Sequence, residues 1–404
     1  MRRSLAVAAA ATLLLGSACG QQSGGESTDD SGPIEIGVAI SETGDYSVEA
    51  GGLRDGYDLW TKWVNDRGGI DVDGTKRKVK LIYEDDQSNP EAASQLTERL
   101  ITQDEVDFLF GPYSSTLTMA TSAIAERHGV INMSGGGASE EIFERGFKRV
   151  FGLATPTKDY TRATLETLQA KGATTLGIIH VDDPAMNSVA AGAEQQAEEL
   201  GMEVVVSEQV PQVADYTSAM QRVAQEDPDV FIGAGAFQSA ISFTRSAEQI
   251  NFKPDHMVLV NGPADPEFVE QLDKSAENII GPTQWHRTAP FSDEYFGTAE
   301  EFAKLFENTY GEEPSYVASV GAATGLALQL AIEAAGTADT EAVREALLEL
   351  DTETFFGPAN FTESGINEHK PMPGVQVQNG ETVVIAPMPE DATWELEKYS
   401  SSAQ

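Results

Sequence analysis

The sequence predicts an α/β protein of two domains, each built on a parallel sheet covered by helices. Three observations carry this. Short β-branched runs alternate with helical stretches along most of the chain, the pattern of repeated βαβ units. A length of 404 residues suits two domains, each large enough to bury its own core. There is also an internal echo, in which Asp107-Phe108-Leu109-Phe110-Gly111-Pro112-Tyr113-Ser114-Ser115 has a later counterpart in Asp229-Val230-Phe231-Ile232-Gly233-Ala234-Gly235-Ala236-Phe237. Each is an Asp-led apolar strand that ends in Gly and a small loop opening a helix. Glycine is the default turn residue, so the echo supports two similar domains without requiring them.

The body opens on a strand, Ile34 to Ile40, followed by the loop Ser41 to Tyr46 and a helix from Glu49 to Asn65 that Gly68-Gly69 stops. A strand follows at Val79 to Tyr83, a helix at Pro90 to Thr102, a strand at Val106 to Phe110, and a helix from Leu117 to His128. The alternation resumes near Asp159, with strands at Thr175 to His180, Glu203 to Ser207, Val230 to Gly233 and Met257 to Val260. Helices return at Ala299 to Tyr310, Tyr316 to Ala335 and Thr340 to Leu350, ahead of Phe355-Phe356-Gly357-Pro358 and extended stretches at Val375 to Val377 and Val383 to Ile385. Such an order suits a chain that crosses between domains more than once.

Ahead of the body, Met1-Arg2-Arg3 and the apolar run Leu5 to Leu15 lead into Gly16-Ser17-Ala18-Cys19. This reads as a signal peptide over residues 1–18, too short for a permanent span. The small residues before Cys19 resemble a bacterial lipobox, with Gly16 where Leu is usual; ordinary cleavage with a free Cys19 is the other reading. Residues 19–33, rich in Gly, Ser, Gln and Asp, form a flexible tether after the lipidated cysteine. The Ala-rich segment Val317 to Ala335 is broken by Ser319, Gly321, Thr324, Gly325, Gln329 and Glu333 and is not expected to span a membrane.

Composition narrows the function. With 26 Lys plus Arg against 65 Asp plus Glu, the net charge of −39 opposes nucleic-acid binding, which depends on cationic side chains displacing counterions. The charge is read as solubility for an exposed domain. One cysteine permits neither an intramolecular disulfide nor a cysteine-rich zinc site. His128, His180, His256, His286 and His369 are scattered, so no metal is expected. No G-x-S-x-G elbow, Walker A sequence or G-x-G-x-x-G occurs, and no cofactor is expected. Asp71-Val72-Asp73-Gly74 is like the start of a calcium loop but lacks the later acids, and reads as a hairpin turn. Asp85-Asp86 and Asp182-Asp183 end strands and read as solvated termini or helix caps.

What does assemble is a set of binding groups. Tyr113-Ser114-Ser115-Thr116 places hydroxyls at a helix start, where free N–H groups suit a carboxylate without any Arg; plain N-capping is the other reading, and the two roles are compatible. Met133 to Ser139, with Gly135-Gly136-Gly137, is a small loop whose backbone can approach a ligand. Tyr46, Phe237 and Trp285 lie in or beside loops and suit a ligand's apolar part.

Taken together, Ile36-Gly37-Val38 with Thr43-Gly44, then Val64-Asn65, Gly68-Gly69-Ile70, Tyr83-Glu84-Asp85-Asp86, Gly111-Pro112-Tyr113-Ser114-Ser115 and Arg145-Gly146-Phe147 resemble the substrate-binding lipoproteins of ABC importers. The likeness is greatest to the branched-chain amino-acid (Leu/Ile/Val) class with the type I periplasmic-binding fold. It runs from Ile34 to Ile385. It implies two Rossmann-like lobes joined by three hinge crossovers: residues 34–154 plus 284–355 in an N-terminal lobe, 155–283 plus 356–390 in a C-terminal lobe, and 391–404 as a tail. By position, Ser115 matches the serine that holds the ligand carboxylate and Gly136 a residue giving backbone contacts. Ala138 stands where the family has a Thr, with Ser139 beside it to replace the hydroxyl. Ala236 takes the place of a Tyr, with Phe237 next. The family's acidic partner for the substrate ammonium follows the strand at Met257; here the stretch is Asn261-Gly262-Pro263-Ala264-Asp265, with Asp265 later than expected. A third Tyr position falls near Ala185-Met186. The carboxylate end of the site thus looks kept and the ammonium end altered.

The resemblance implies a non-enzymatic, extracytoplasmic, monomeric binder, held by lipid on Cys19 to the outer face of the bacterial cell membrane. It would pass a small amino acid or related carboxylate to ABC permease subunits. The alternatives are a ligand-sensing accessory of a membrane receptor, or a binder of an aromatic carboxylate or amide. An exported hydrolase has no motif behind it.

Overall fold

The computed structural model describes residues 32–213, 215–367, 370–386 and 395–399. The expected signal peptide, Cys19, most of the tether, His369 and most of the tail lie outside the described residues.

The first lobe opens with β1 (Ile34–Ile40), α1 (Ser47–Asp66), β2 (Ile70–Val72), β3 (Thr75–Arg77), β4 (Val79–Asp85), α2 (Pro90–Thr102), β5 (Phe108–Phe110), α3 (Ser115–His128), β6 (Asn132–Ser134), α4 (Glu140–Phe143) and β7 (Val150–Gly152). Its five-stranded sheet runs β4-β1-β5-β6-β7, all parallel. The second lobe follows with α5 (Arg162–Ala170), β8 (Thr175–Val181), α6 (Pro184–Leu200), β9 (Glu203–Val210), α7 (Thr217–Gln225), β10 (Val230–Ala234), α8 (Phe237–Ile250), β11 (His256–Leu259), α9 (Pro266–Leu272) and β12 (Ile280–Pro282). The chain then returns through β13 (Ser292–Asp293), β14 (Gly297–Thr298), α10 (Ala299–Tyr310), α11 (Tyr316–Ala335), α12 (Thr340–Leu348), β15 (Asp351–Thr354) and β16 (Gly357–Asn360). Finally β17 (Gly374–Gln378) and β18 (Glu381–Ala386) complete a seven-stranded sheet, β18-β17-β12-β11-β10-β8-β9, in which only the β12-β17-β18 edge is antiparallel.

Local chemistry sets the helix ends. Asp183 caps α6 by accepting from the N–H groups of Ala185 and Met186, Pro184 occupies the first turn, and Gly201 ends the helix in the left-handed region. Thr298 and Glu301 form a capping box on α10. The Asp73-Gly74 pair turns β2 into β3 with φ of 49° and 82°, and Asp71 Oδ1 accepts from Gly74 N–H, so the stretch is the hairpin the sequence predicts.

Helix α11 is long and apolar enough to cross a membrane, yet most of it is buried. It packs on α1 through facing small residues: a Cβ on Gly56 would sit 2.1 Å from Ala318 O, and one on Gly325 2.2 Å from Trp60 Cδ2. Only glycine allows this approach. The residues that interrupt its apolar run are therefore packing and core-polar groups, Gln329 Oε1 accepting from the Trp60 indole at 3.1 Å.

Three passages connect the lobes, after β7, after β12 and before β17. The third falls later than the residue 356 expected from sequence. Phe355 stacks on Phe302 with centroids 4.0 Å apart, Phe356, Ala359 and Phe361 join the same apolar cluster, and Ile366 bridges to Gly152. The Phe-Phe pair stays with the first lobe because that is where its aromatic partners are.

Candidate functional site

Both sheets point their carboxyl-terminal edges at a shared cleft, the place where open α/β sheets gather ligand-binding loops. A cavity of about 60 Å³ lies there. From the first lobe, Tyr46, Tyr113, Ser114, Ser115 and Gly136 line it; from the second come Val181, Asp183, Ala185, Met186 and Ala236. Thr157 and Tyr160 of the first passage, with Gln212, Asn261 and Tyr316, complete the wall.

The first-lobe wall is set by short strands that stop abruptly. β5 ends at Phe110, Ser114 caps α3 by accepting from Leu117 N–H at 3.2 Å, and Ser115 is the first helical residue. Ser115 Oγ accepts N–H groups from Ala138 at 3.3 Å and Ser139 at 3.2 Å. Its own O–H finds no protein acceptor among the described residues, so it is a donor held in place by two backbone bonds. The loop after β6 comes so close that a Cβ on Gly136 would meet Tyr113 O at 2.4 Å, which reserves that position for glycine.

Four phenols enclose the space. Tyr113 and Tyr316 share a hydrogen bond of 3.0 Å, Tyr316 donates to Asn261 Oδ1 at 3.4 Å, and the Tyr46 ring lies 6.1 Å from that of Tyr113. Burial pushes Tyr46 and Tyr160 up to about 12 and raises Tyr113 and Tyr316 well above the usual phenol range. All four stay protonated and serve as neutral hydrogen-bonding walls. Among the described residues, Asp183 is the one charged group on the lining. Its Oδ1 caps α6 while its Oδ2 accepts from Thr116 Oγ1 at 3.2 Å, across the cleft.

That bond is one of several between the lobes. Ser188 on α6 donates to Glu140 on α4, and Phe237 at the start of α8 shares a small pocket with Glu49 on α1. With Tyr316 to Asn261, these contacts describe a closed cleft.

The remaining expected site residues fall elsewhere. Ala138 and Ser139 sit one layer behind the wall: Ala138 N–H goes to Ser115 and its carbonyl accepts from Thr157 N–H at 3.1 Å. Ser139 Oγ is buried without a partner and does not line the cavity. Phe237 and Asp265 line a smaller neighbouring pocket with Glu49, sharing Tyr113, Asn261 and Tyr316 with the cavity. Asp265 also caps α9, accepting from Glu267 N–H at 2.9 Å. Trp285 is not brought to the cavity at all: its indole donates to Phe355 O at 3.1 Å and packs edge-on against Phe302.

Sequence reasoning missed Tyr160, Gln212 and Tyr316, which lie in connections or late in the chain with no local mark. Asp183 was visible as a cap, and Asn261 as the residue at the end of β11, but neither announced its place on the wall.

A two-lobed α/β chain with a cavity, lined by hydroxyl groups and enclosed between two sheet edges, is, by architecture, a binding protein that closes on a solute. The comparisons agree. Residues 33–382 match the family described as periplasmic binding protein. A curated relative is Leu/Ile/Val-binding protein homolog 7 of Brucella abortus, 26% identical over 377 residues, covering 88% of this chain and 92% of its own. Among solved structures, the branched-chain amino acid transporter substrate binding protein LivJ of Streptococcus pneumoniae, in complex with isoleucine, superposes with a TM-score of 0.76 at 21% identity, over 88% of this chain and 100% of that one. An ABC transporter solute binding protein of R. palustris, in complex with benzoate, gives a TM-score of 0.74 at 20% identity, over 92% and 99%. The chain belongs to the periplasmic binding protein family.

Proposed function

We propose that this chain is the extracytoplasmic substrate-binding component of an ABC importer, which traps a small amino acid between its lobes and delivers it to a membrane permease without chemical change. The observation that carries this reading is the cavity itself, with a backbone-held Ser115 donor at the N-terminus of α3 on one side and the Asp183 carboxylate on the other. A zwitterion matches both: its carboxylate meets donors and a helix N-terminus, and its ammonium has a countercharge. Names carried by the relatives fit the same class. A lipid on Cys19 would keep the protein at the outer face of the membrane, as a monomer.

A second reading, an aromatic carboxylate, draws on the phenol-rich wall and on the benzoate bound by the R. palustris protein. Asp183 weighs against it, since an anion without a cationic partner on the lining would face that carboxylate in a low-dielectric space.

A thermal-shift panel of amino acids and simple carboxylates on ligand-free protein tests the proposal. A midpoint raised by one or a few amino acids is expected. No shift across the panel, or turnover of whatever binds, would count against it. A sensor role would be separated by copurification with a receptor rather than with a permease.

A further inference from the structure

The three passages between the lobes are tied by one buried network. Thr155 stands in the first, Gln284 in the second and Lys370 in the third, and all three are essentially inaccessible to solvent. Thr155 N–H donates to Gln284 Oε1 at 2.9 Å, and Gln284 Nε2 returns a bond to Thr155 O at 3.1 Å. Thr155 Oγ1 donates to Lys370 O at 3.2 Å. Lys370 Nζ donates to the Gln284 carbonyl and, at 3.2 Å, to Gln284 Oε1, and it sits 4.3 Å from the centroid of Phe356.

No carboxylate among the described residues pairs with this ammonium. Burying an unpaired cation is unfavourable, and carbonyls and an aromatic face offset it only in part. Burial accordingly pulls Lys370 down to about 7. A methionine or leucine would fill the space at lower cost. What lysine adds here is a bond between passages, and passages are where lobe rotation occurs in hinged proteins.

Gln284 is thus bonded to both other passages, and Tyr160, which follows Thr155 in the first passage, stands on the cavity wall.

We propose that Thr155, Gln284 and Lys370 form a clasp across the three passages and that Lys370 is its positioning residue. The clasp holds the passages in the geometry of the closed lobes. It rests on the capture reading for its purpose, but its mechanical part is measurable without any ligand.

The test is small-angle X-ray scattering of the ligand-free chain, with thermal midpoints recorded alongside. Lys370→Met keeps the volume and removes the bonds. A larger radius of gyration together with a raised midpoint is expected, a pairing that a merely structural lysine would not produce. Gln284→Leu, which removes both bonds between the first and second passages and one of the two from Lys370 Nζ, is expected to open the molecule further; Thr155→Ser retains the hydroxyl and should scatter as wild type. Should Lys370→Met fail to fold, Gln284→Leu and Thr155→Ala carry the same comparison. Unchanged scattering for the folded Lys370 and Gln284 variants overturns the clasp. That result is independent of the metabolite panel, whose failure would overturn capture instead.

Discussion

The two walls of the cavity are built differently. On the first-lobe side, Ser115 and Gly136 are fixed by backbone: an oxygen held by two N–H groups and a glycine pressed against Tyr113 O. On the second-lobe side, Asp183, Gln212 and Asn261 present side chains, and Met186 and Ala236 leave room. The rigid wall suits the part of a ligand that many solutes share, and the side-chain wall suits the part that distinguishes them. In such a pair, changes to the first wall should weaken every ligand, and changes to the second should reorder ligands.

The largest effect is expected from Ser115→Ala. It removes the donor facing the cavity and leaves the Ala138 and Ser139 N–H groups without their acceptor. Binding should weaken by about 1 to 3 kcal/mol, and folding stability should also fall, since buried donors lose a partner. Calorimetry with the ligand found by the panel checks the first, and denaturant unfolding the second. Unchanged affinity in a folded variant would remove Ser115 from the site.

Asp183→Asn should come next and should discriminate. Asparagine caps a helix as well as aspartate does, so α6 is expected to stay intact. An amino acid should lose about tenfold in affinity, about 1.4 kcal/mol, while its des-amino analogue should bind unchanged or better. Equal losses for both would mean that the second wall is not the one that reads the ammonium.

How much of this difference was legible follows from the same contrast. The strands and most helix ends were readable because they rest on local signals, hydroxyls before a helix, glycines in a tight loop and the alternation of β1, α1 and β4, although the cap on α3 is Ser114 and not the Ser115 or Thr116 expected. The helices expected at Pro90–Thr102, Ala299–Tyr310 and Tyr316–Ala335 have those bounds in the fold. The second wall was less legible because its members meet only through the third dimension. Tyr316 opens a helix that belongs to the first lobe yet bonds Asn261. Asp183 carried a sufficient local explanation as a cap, which hid its second oxygen. Lys370 lies in an irregular stretch where nothing predicts burial.

Acidity offers a milder way to separate the walls. Glu49 on the first lobe faces the Phe237 N–H, Asp265 and Glu267 across the neighbouring pocket, and burial, with the two carboxylates adding to it, pushes it up to about 7. In an open cleft its carboxyl returns toward its ordinary value near 4.5. Closure then binds a proton between those values, so the closed form is favoured below about 4.5 and loses that advantage as pH rises through about 7. Ligand affinity should accordingly fall from pH 5 to pH 7.5, roughly the range these two values bracket, and Glu49→Gln should flatten the profile. A profile that stays the same in Glu49→Gln would assign the dependence to another group.

The smallest effect on binding is expected where sequence and structure part most clearly. Trp285 looked like a ligand wall because it stands beside a loop, outside any apolar run. In the fold it leaves the cleft, sets its ring edge-on to Phe302 and gives its indole N–H to Phe355 O. Trp285→Phe should lose that hydrogen bond and some buried volume, about 1 to 2 kcal/mol of stability, while affinity stays within about twofold. Because Gln284, its neighbour in the chain, belongs to the clasp, the scattering curve of this variant is informative too. Wild-type scattering with a lowered midpoint would confine Trp285 to the core of the first lobe, and a loss of affinity beyond that range would return it to the site.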